Sequence, residues 1–210
     1  KIFKSHMEEQ IEKAKIRYTQ DQKNRVHKEV DFVKESIEFQ ITEAENILKA
    51  TLKDRINIAL NVANSIYDTY KDTLNKEEIK EKIAKALSLI KFDDGCGYYF
   101  IYDSKTNVML EHPLSELIGR DMTTFINNSG QNLIELFTSE LEKNDIAYSK
   151  TYFAKPNDKE KEFPKITCVT KFEPLNLVFG IGEYLDVIEK QSKEYVINRF
   201  SKTKYYEKDK

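Results

Sequence analysis

His112 and Lys165 each sit beside a proline, His112 before Pro113 and Lys165 after Pro164. With the tyrosine hydroxyls around residues 98–102 they are suitable donors for a small carboxylate. Such an anion needs a cation or charge-assisted donors in a partly dry cavity, with aromatic walls to orient it. Each also has a plainer reading: His112 as a hydrogen-bonded residue at a strand end, Lys165 as a solvated loop lysine, and the tyrosines as core with their hydroxyls at the surface. Arg120, after Gly119, could reach inward but better suits a helix-cap or surface role. The histidines at 6, 27 and 112 have no metal-ligand spacing. No Ser-His-Asp set and no paired acids stand out, so an enzyme finds no support. The Gly180-Ile-Gly182 pair lies in or at the end of a strand and lacks the third glycine and the helix of a phosphate loop; close backbone packing explains it better.

The elements that must position these groups are marked by glycine and proline. The first 94 residues contain neither, and all six glycines and four prolines fall between Gly95 and Gly182. Because these residues are the strongest breakers of regular structure, the first part reads as nearly continuous helix. From Val26 to Tyr70 its apolar positions advance in 12 steps over 44 residues, about 3.67 per step. That is an 11-residue repeat, which suits a straight or slightly right-handed helix. A helix from about residue 6 to 71 would be roughly 100 Å long, so part of its stripe should meet a second chain or another domain, unless it is a solvated linker.

Asn75 or Thr73 can cap a second helix over about 76–91, ended by Phe92-Asp-Asp-Gly-Cys-Gly97. Tyr98-Tyr-Phe-Ile-Tyr-Asp103 has no polar interruption and predicts a strand buried on both faces, with Val108–Pro113 returning as a hairpin. An irregular stretch at 121–128, a helix over 131–143, strands near 147–154, 165–172 and 177–184, and a final helix over 185–202 follow. The polar run 155–162 predicts a mobile loop. The order is α+β: a long N-terminal helix packed on a PAS-like five-stranded antiparallel sheet with flanking helices.

Lys and Arg total 34 against 36 Asp and Glu, with no basic stripe, so no nucleic-acid partner is expected. No apolar run of about 18 residues is present, nor an apolar signal-peptide core near Lys1. Cys96 and Cys168 lie on different predicted strands and read either as a disulfide or as two buried thiols.

Four fragments, Gly97-Tyr-Tyr-Phe-Ile-Tyr-Asp, Leu110-Glu-His-Pro, Phe163-Pro-Lys-Ile-Thr and Gly180-Ile-Gly-Glu-Tyr-Leu-Asp, together with the helical stalk, resemble the Cache superfamily, in particular its single-Cache type. The resemblance covers about residues 26–190. It implies an extracytoplasmic, periplasmic small-ligand sensor of a bacterial transmembrane protein: a chemoreceptor, histidine kinase or cyclic-di-GMP enzyme anchored by membrane helices outside this chain. It implies a short organic acid as ligand, no cofactor, and a binding set of Tyr98, Tyr99, Phe100, Tyr102, His112, Tyr152, Lys165 and Thr167. The family often has tryptophans before the Gly-x-Gly where this chain has Leu175 and Leu177, and an aromatic where it has Cys168, so the far wall is expected to be smaller.

The expected organisation is a stalk over 1–72, a Cache domain over 73–190 and a linker helix over 191–210, with the stalk offering a homodimer contact. Residues 193–210 echo 80–95, each an amphipathic helix followed by lysine, an aromatic and a charged turn, which predicts a second Cache domain after Lys210. The alternative is a cytoplasmic PAS-like dimerisation or cofactor-binding module.

Overall fold

The computed structural model describes residues 2–92 and 97–207. Helix α1 runs without interruption over Ile2–Tyr70, as a segment free of glycine and proline allows. Helix α2, Lys76–Ser88, starts in a capping box: the Asn75 side chain accepts from the Glu78 amide, and the Glu78 carboxylate accepts from the Asn75 amide. The strands are β1 (Lys91–Phe92), β2 (Gly97–Asp103), β3 (Met109–Glu111), β4 (Ile146–Lys155), β5 (Asp158–Phe172) and β6 (Leu177–Tyr184). Helix α3 spans Leu133–Leu141 and α4 spans Leu185–Glu207. No helix of the described residues is long and apolar enough to cross a membrane.

The sheet is antiparallel in the order β1-β2-β6-β5-β4, with β3 also paired to β2. The expected five-stranded antiparallel sheet is present, and among the described residues a two-residue strand extends it at one edge. The addition is β1: the second helix stops at Ser88 rather than near 91, and Lys91 and Phe92 pair with Tyr98 and Gly97. The expected mobile loop at 155–162 is also corrected. It is mostly strand, because Pro156-Asn157 turns the chain tightly enough for Lys155 to pair with Asp158 and Ala154 with Glu162.

Two compact units divide the chain, residues 44–188 and residues 1–43 with 189–210. In the first, one sheet face lies against α1 and α2: Leu52, Ile56, Ala59 and Ala63 of the apolar stripe are fully buried with Ile79, Ile83, Ile101, Phe179 and Ile181. Full burial of the leucine, isoleucine and phenylalanine side chains stabilises by about 1.5–3 kcal/mol each, which fixes the C-terminal part of α1 to the sheet. Arg55 pairs with Glu183 on this face, and the Lys80 ammonium donates to Asp103 at 2.7 Å at the end of β2. The opposite face carries a second core with Tyr98, Phe100, Tyr102, Phe137 and Val169. In the other unit, Phe32 and Phe200 meet edge to face at 5.4 Å.

Candidate functional site

Strand alternation builds the site. Side chains two apart share a face, and directly paired antiparallel residues point the same way. Tyr98, Phe100 and Tyr102 thus stand on the face that also presents Thr151, Phe153, Lys165 and Thr167, with Thr151 paired to Lys165 and Thr167 to Gly182. Between them, β6 contributes Gly180 and Gly182. A Cβ on Gly180 would collide with the Cζ end of the Phe100 ring, and one on Gly182 would meet Lys165 Cε at 2.5 Å and the Ile166 carbonyl oxygen at 2.7 Å. The glycines are places of close approach, as their spacing led one to expect.

Above this floor the chain folds a roof. His112 follows β3; Met122 and Phe125 come from the irregular stretch, and Leu133, Ile134 and Phe137 from the start of α3. Together with Met109 they enclose a cavity of roughly 500 Å³ of atom-free space, its open mouth included. A latch of side chains holds the roof to the edge strand β4. Asn127, buried, donates to the Tyr152 carbonyl at 2.8 Å and to Gln131 Oε1 at 3.0 Å, and Gln131 Oε1 accepts from the Tyr152 amide at 3.1 Å. Glu162 accepts from the amides of Asn128 and Ser129 at 2.8 and 3.2 Å.

The polar groups of the cavity gather at one end. Lys165, 3% exposed, lies with its ammonium 4.1 Å from the centroid of the Tyr98 ring and 4.8 Å from that of Tyr184. The hydroxyls of Thr151 and Thr167 are 2.8 Å apart. His112, 4% exposed, accepts from the Leu114 amide at Nδ1, 3.0 Å away, so the neutral ring carries its proton on Nε2 and can donate. Burial, reinforced by the positive charge of Lys165, holds its pKa down at about 3. The ring is packed among aromatics, 5.3 Å from Tyr98 and 5.4 Å from Phe153 between centroids. Tyr102 lies further along β2; burial raises its phenol pKa, Thr138 offsetting part of the shift, and its hydroxyl makes no hydrogen bond of full geometry. No acidic side chain lines the cavity among the described residues.

Six of the eight expected residues come together here: Tyr98, Phe100, Tyr102, His112, Lys165 and Thr167. Tyr99 and Tyr152 do not. Tyr99 alternates to the other face, where its hydroxyl donates to the Arg55 carbonyl at 2.6 Å and burial pushes its pKa up to about 12. Tyr152 is likewise out of phase with Thr151 and Phe153 and is 37% exposed; only its backbone serves the site, as the anchor of the latch. Thr151 and Phe153 were missed, although pairing β4 with the Pro164-Lys165 strand would have selected them by parity. Met122, Phe125 and Phe137 had no such signal. Cys168 is fully buried on the opposite face, and burial, eased by a hydrogen bond with Tyr148, pushes its thiol up to about 12; Cys96, needed for the disulfide alternative, lies outside the described residues.

A family model described as a Cache domain matches residues 3–210. Among solved structures, the chain is similar to a periplasmic sensor domain of a chemotaxis protein, at 22% identity and TM-score 0.60, over 65% of this chain and 94% of that one. It is similar to a methyl-accepting chemotaxis protein from Vibrio parahaemolyticus RIMD 2210633, at 21% identity and TM-score 0.61, over 72% and 98%. A structure described as the basis for carboxylic acid recognition by a Cache chemosensory domain matches at 20% identity and TM-score 0.58, over 68% and 98%.

Proposed function

Since the chain belongs to the Cache domain family, we propose that it is the extracytoplasmic ligand-sensing domain of a bacterial signalling receptor, and that its cavity takes a short monocarboxylate with a small apolar tail. The observation that carries this reading is a buried lysine at one end of a cavity whose other walls are largely apolar and aromatic. The Lys165 ammonium, His112 Nε2–H and one hydroxyl of the hydrogen-bonded Thr151–Thr167 pair can donate to one carboxylate. An ammonium ligand would meet Lys165 with no acidic lining to offset it, and a second carboxylate would have to lie among Met, Phe and Leu side chains, where an unpaired charge is costly. A domain of the same fold described as recognising carboxylic acids is in keeping with this.

Membrane attachment through helices outside residues 1–210 is part of the same proposal, as is a second Cache domain after Lys210. So is a homodimer through α1, supported by Val26, Val30 and Phe39 at 55–62% exposure. Sedimentation should give a dimer that Val30→Glu with Phe39→Glu converts to monomer.

The ligand reading is tested by thermal shift with acetate, propionate and butyrate against propylamine, succinate and alanine. A monocarboxylate at 100 times its Kd should add about 2.7 kcal/mol of stability. Lys165→Met should abolish that shift. Stabilisation by the amine or the diacid, with none from monocarboxylates, would overturn the assignment.

A further inference from the structure

Tyr184, the last residue of β6, directly precedes α4 and lies against Lys165, which lines the cavity. The ammonium of Lys165 lies 4.8 Å from its ring centroid and that of Lys155 lies 5.2 Å away. Lys155 also lies 4.3 Å from the centroid of Phe163, and it donates to Asp186 Oδ2 at 2.7 Å. Asp186 occupies the first turn of α4. This pair is shielded, with side chains 15% and 35% exposed, and the second carboxylate oxygen of Asp186 is buried without a hydrogen bond. One aromatic ring therefore touches a lysine that lines the cavity and a lysine that holds the beginning of a helix.

An aromatic face attracts cations through its quadrupole, and two cations on one ring compete for it and repel each other. An acidic residue in the first turn is favoured by the helix dipole, so Asp186 is well placed to be a fixed anchor for Lys155. We propose that Tyr184 is the residue that couples the cavity to α4. An anion that draws the Lys165 ammonium towards itself relieves the competition at Tyr184. Lys155 then settles on Tyr184 and Asp186, and the first turn of α4 tightens. The coupling is reciprocal: a tightened first turn raises the affinity of the cavity for the anion. This role for Tyr184 rests on Lys165 being the anion-binding group of the cavity.

The test needs no ligand. Lys165→Met removes the cavity cation while keeping most of its volume, so it imitates the relief that an anion brings. Native-state hydrogen exchange is read at the amides of residues 189–192, which close onto the carbonyls of the first turn of α4. In the otherwise unchanged chain, Lys165→Met should slow this exchange about fivefold or more. In a Lys155→Met chain the same change should alter it less than about twofold, the non-additivity of a coupled pair. Tyr184→Phe, which keeps the ring, should preserve the response, and Tyr184→Leu should remove it. If Lys165→Met does not fold, Lys165→Gln serves the same comparison. Equal responses in the two backgrounds, or none in the unchanged chain, overturn the coupling. Because no carboxylate enters the experiment, its result is independent of whether monocarboxylates bind.

Discussion

Lys165 crosses β6 at Gly182, and the crossing is so close that a Cβ on Gly182 would stand 2.5 Å from Lys165 Cε. The main cation of the cavity is thus placed by the absence of a neighbouring side chain. The same Cβ would be 2.7 Å from the Ile166 carbonyl oxygen and 3.1 Å from Thr167 Oγ1, so movement of the lysine alone does not relieve the crowding.

Gly182→Ala should therefore cost about 1–3 kcal/mol of stability, as overpacking does. It should also weaken monocarboxylate binding at least about tenfold by moving Lys165. Urea unfolding and calorimetric titration measure the two effects; an alanine variant that keeps both values would show that the strand has room here after all.

His112 gives a pH dependence of definite sign. Its pKa in the folded chain is about 3, against an ordinary value of 6.5. Below pH 6.5 the unfolded chain takes up a proton that the folded chain refuses. The contribution is complete above pH 6.5 and is lost as pH falls towards 3, at about 1.4 kcal/mol per pH unit. Comparing His112→Gln with the parent at pH 7.5 and 4.5 isolates it: the parent should lose about 2.7 kcal/mol more than the variant.

The latch between the roof and β4 should govern ligand exchange. Asn127→Ala removes the donor to the Tyr152 carbonyl and leaves every polar group of the cavity's binding end in place. The expected result is a dissociation rate for butyrate raised about tenfold, with a much smaller change in association rate, read by stopped-flow mixing. The lost hydrogen bond and exposed partner correspond to about 1–2 kcal/mol.

Lys80 and Asp103 tie α2 to the end of β2. Burial opposes the charge on Asp103, but the Lys80 hydrogen bond and the amides of Lys105 and Thr106 outweigh it, and its pKa lies below the ordinary value. Lys80→Met leaves that carboxylate short of a partner and should destabilise by about 3 kcal/mol. Adding Asp103→Asn, which keeps an acceptor for the two amides, should recover part of the loss in thermal unfolding.

Much of this molecule is written locally in its sequence. The uninterrupted α1 follows from 94 residues without glycine or proline, and the Asn75-x-x-Glu78 cap marks the start of α2. The strand at 177–184 has the expected limits, and the apolar run at 98–103 is buried throughout. These features depend on neighbours in the chain, so composition and spacing reveal them. That same full burial hides which face of β2 lines a cavity: with no polar residue to mark the outside, Tyr98 and Tyr99 look alike until α1 covers one face and the roof the other. Thr151 and Phe153 were chosen over Tyr152 by the register with Lys165, and the latch joins Asn127 to Tyr152, 25 residues away. Lys165 itself looked as much like a solvated loop residue as a buried cation. Sequence alone determined the elements and the kinds of donor present; tertiary packing decided which of those donors share a cavity, because facing and burial are set by residues distant in the chain.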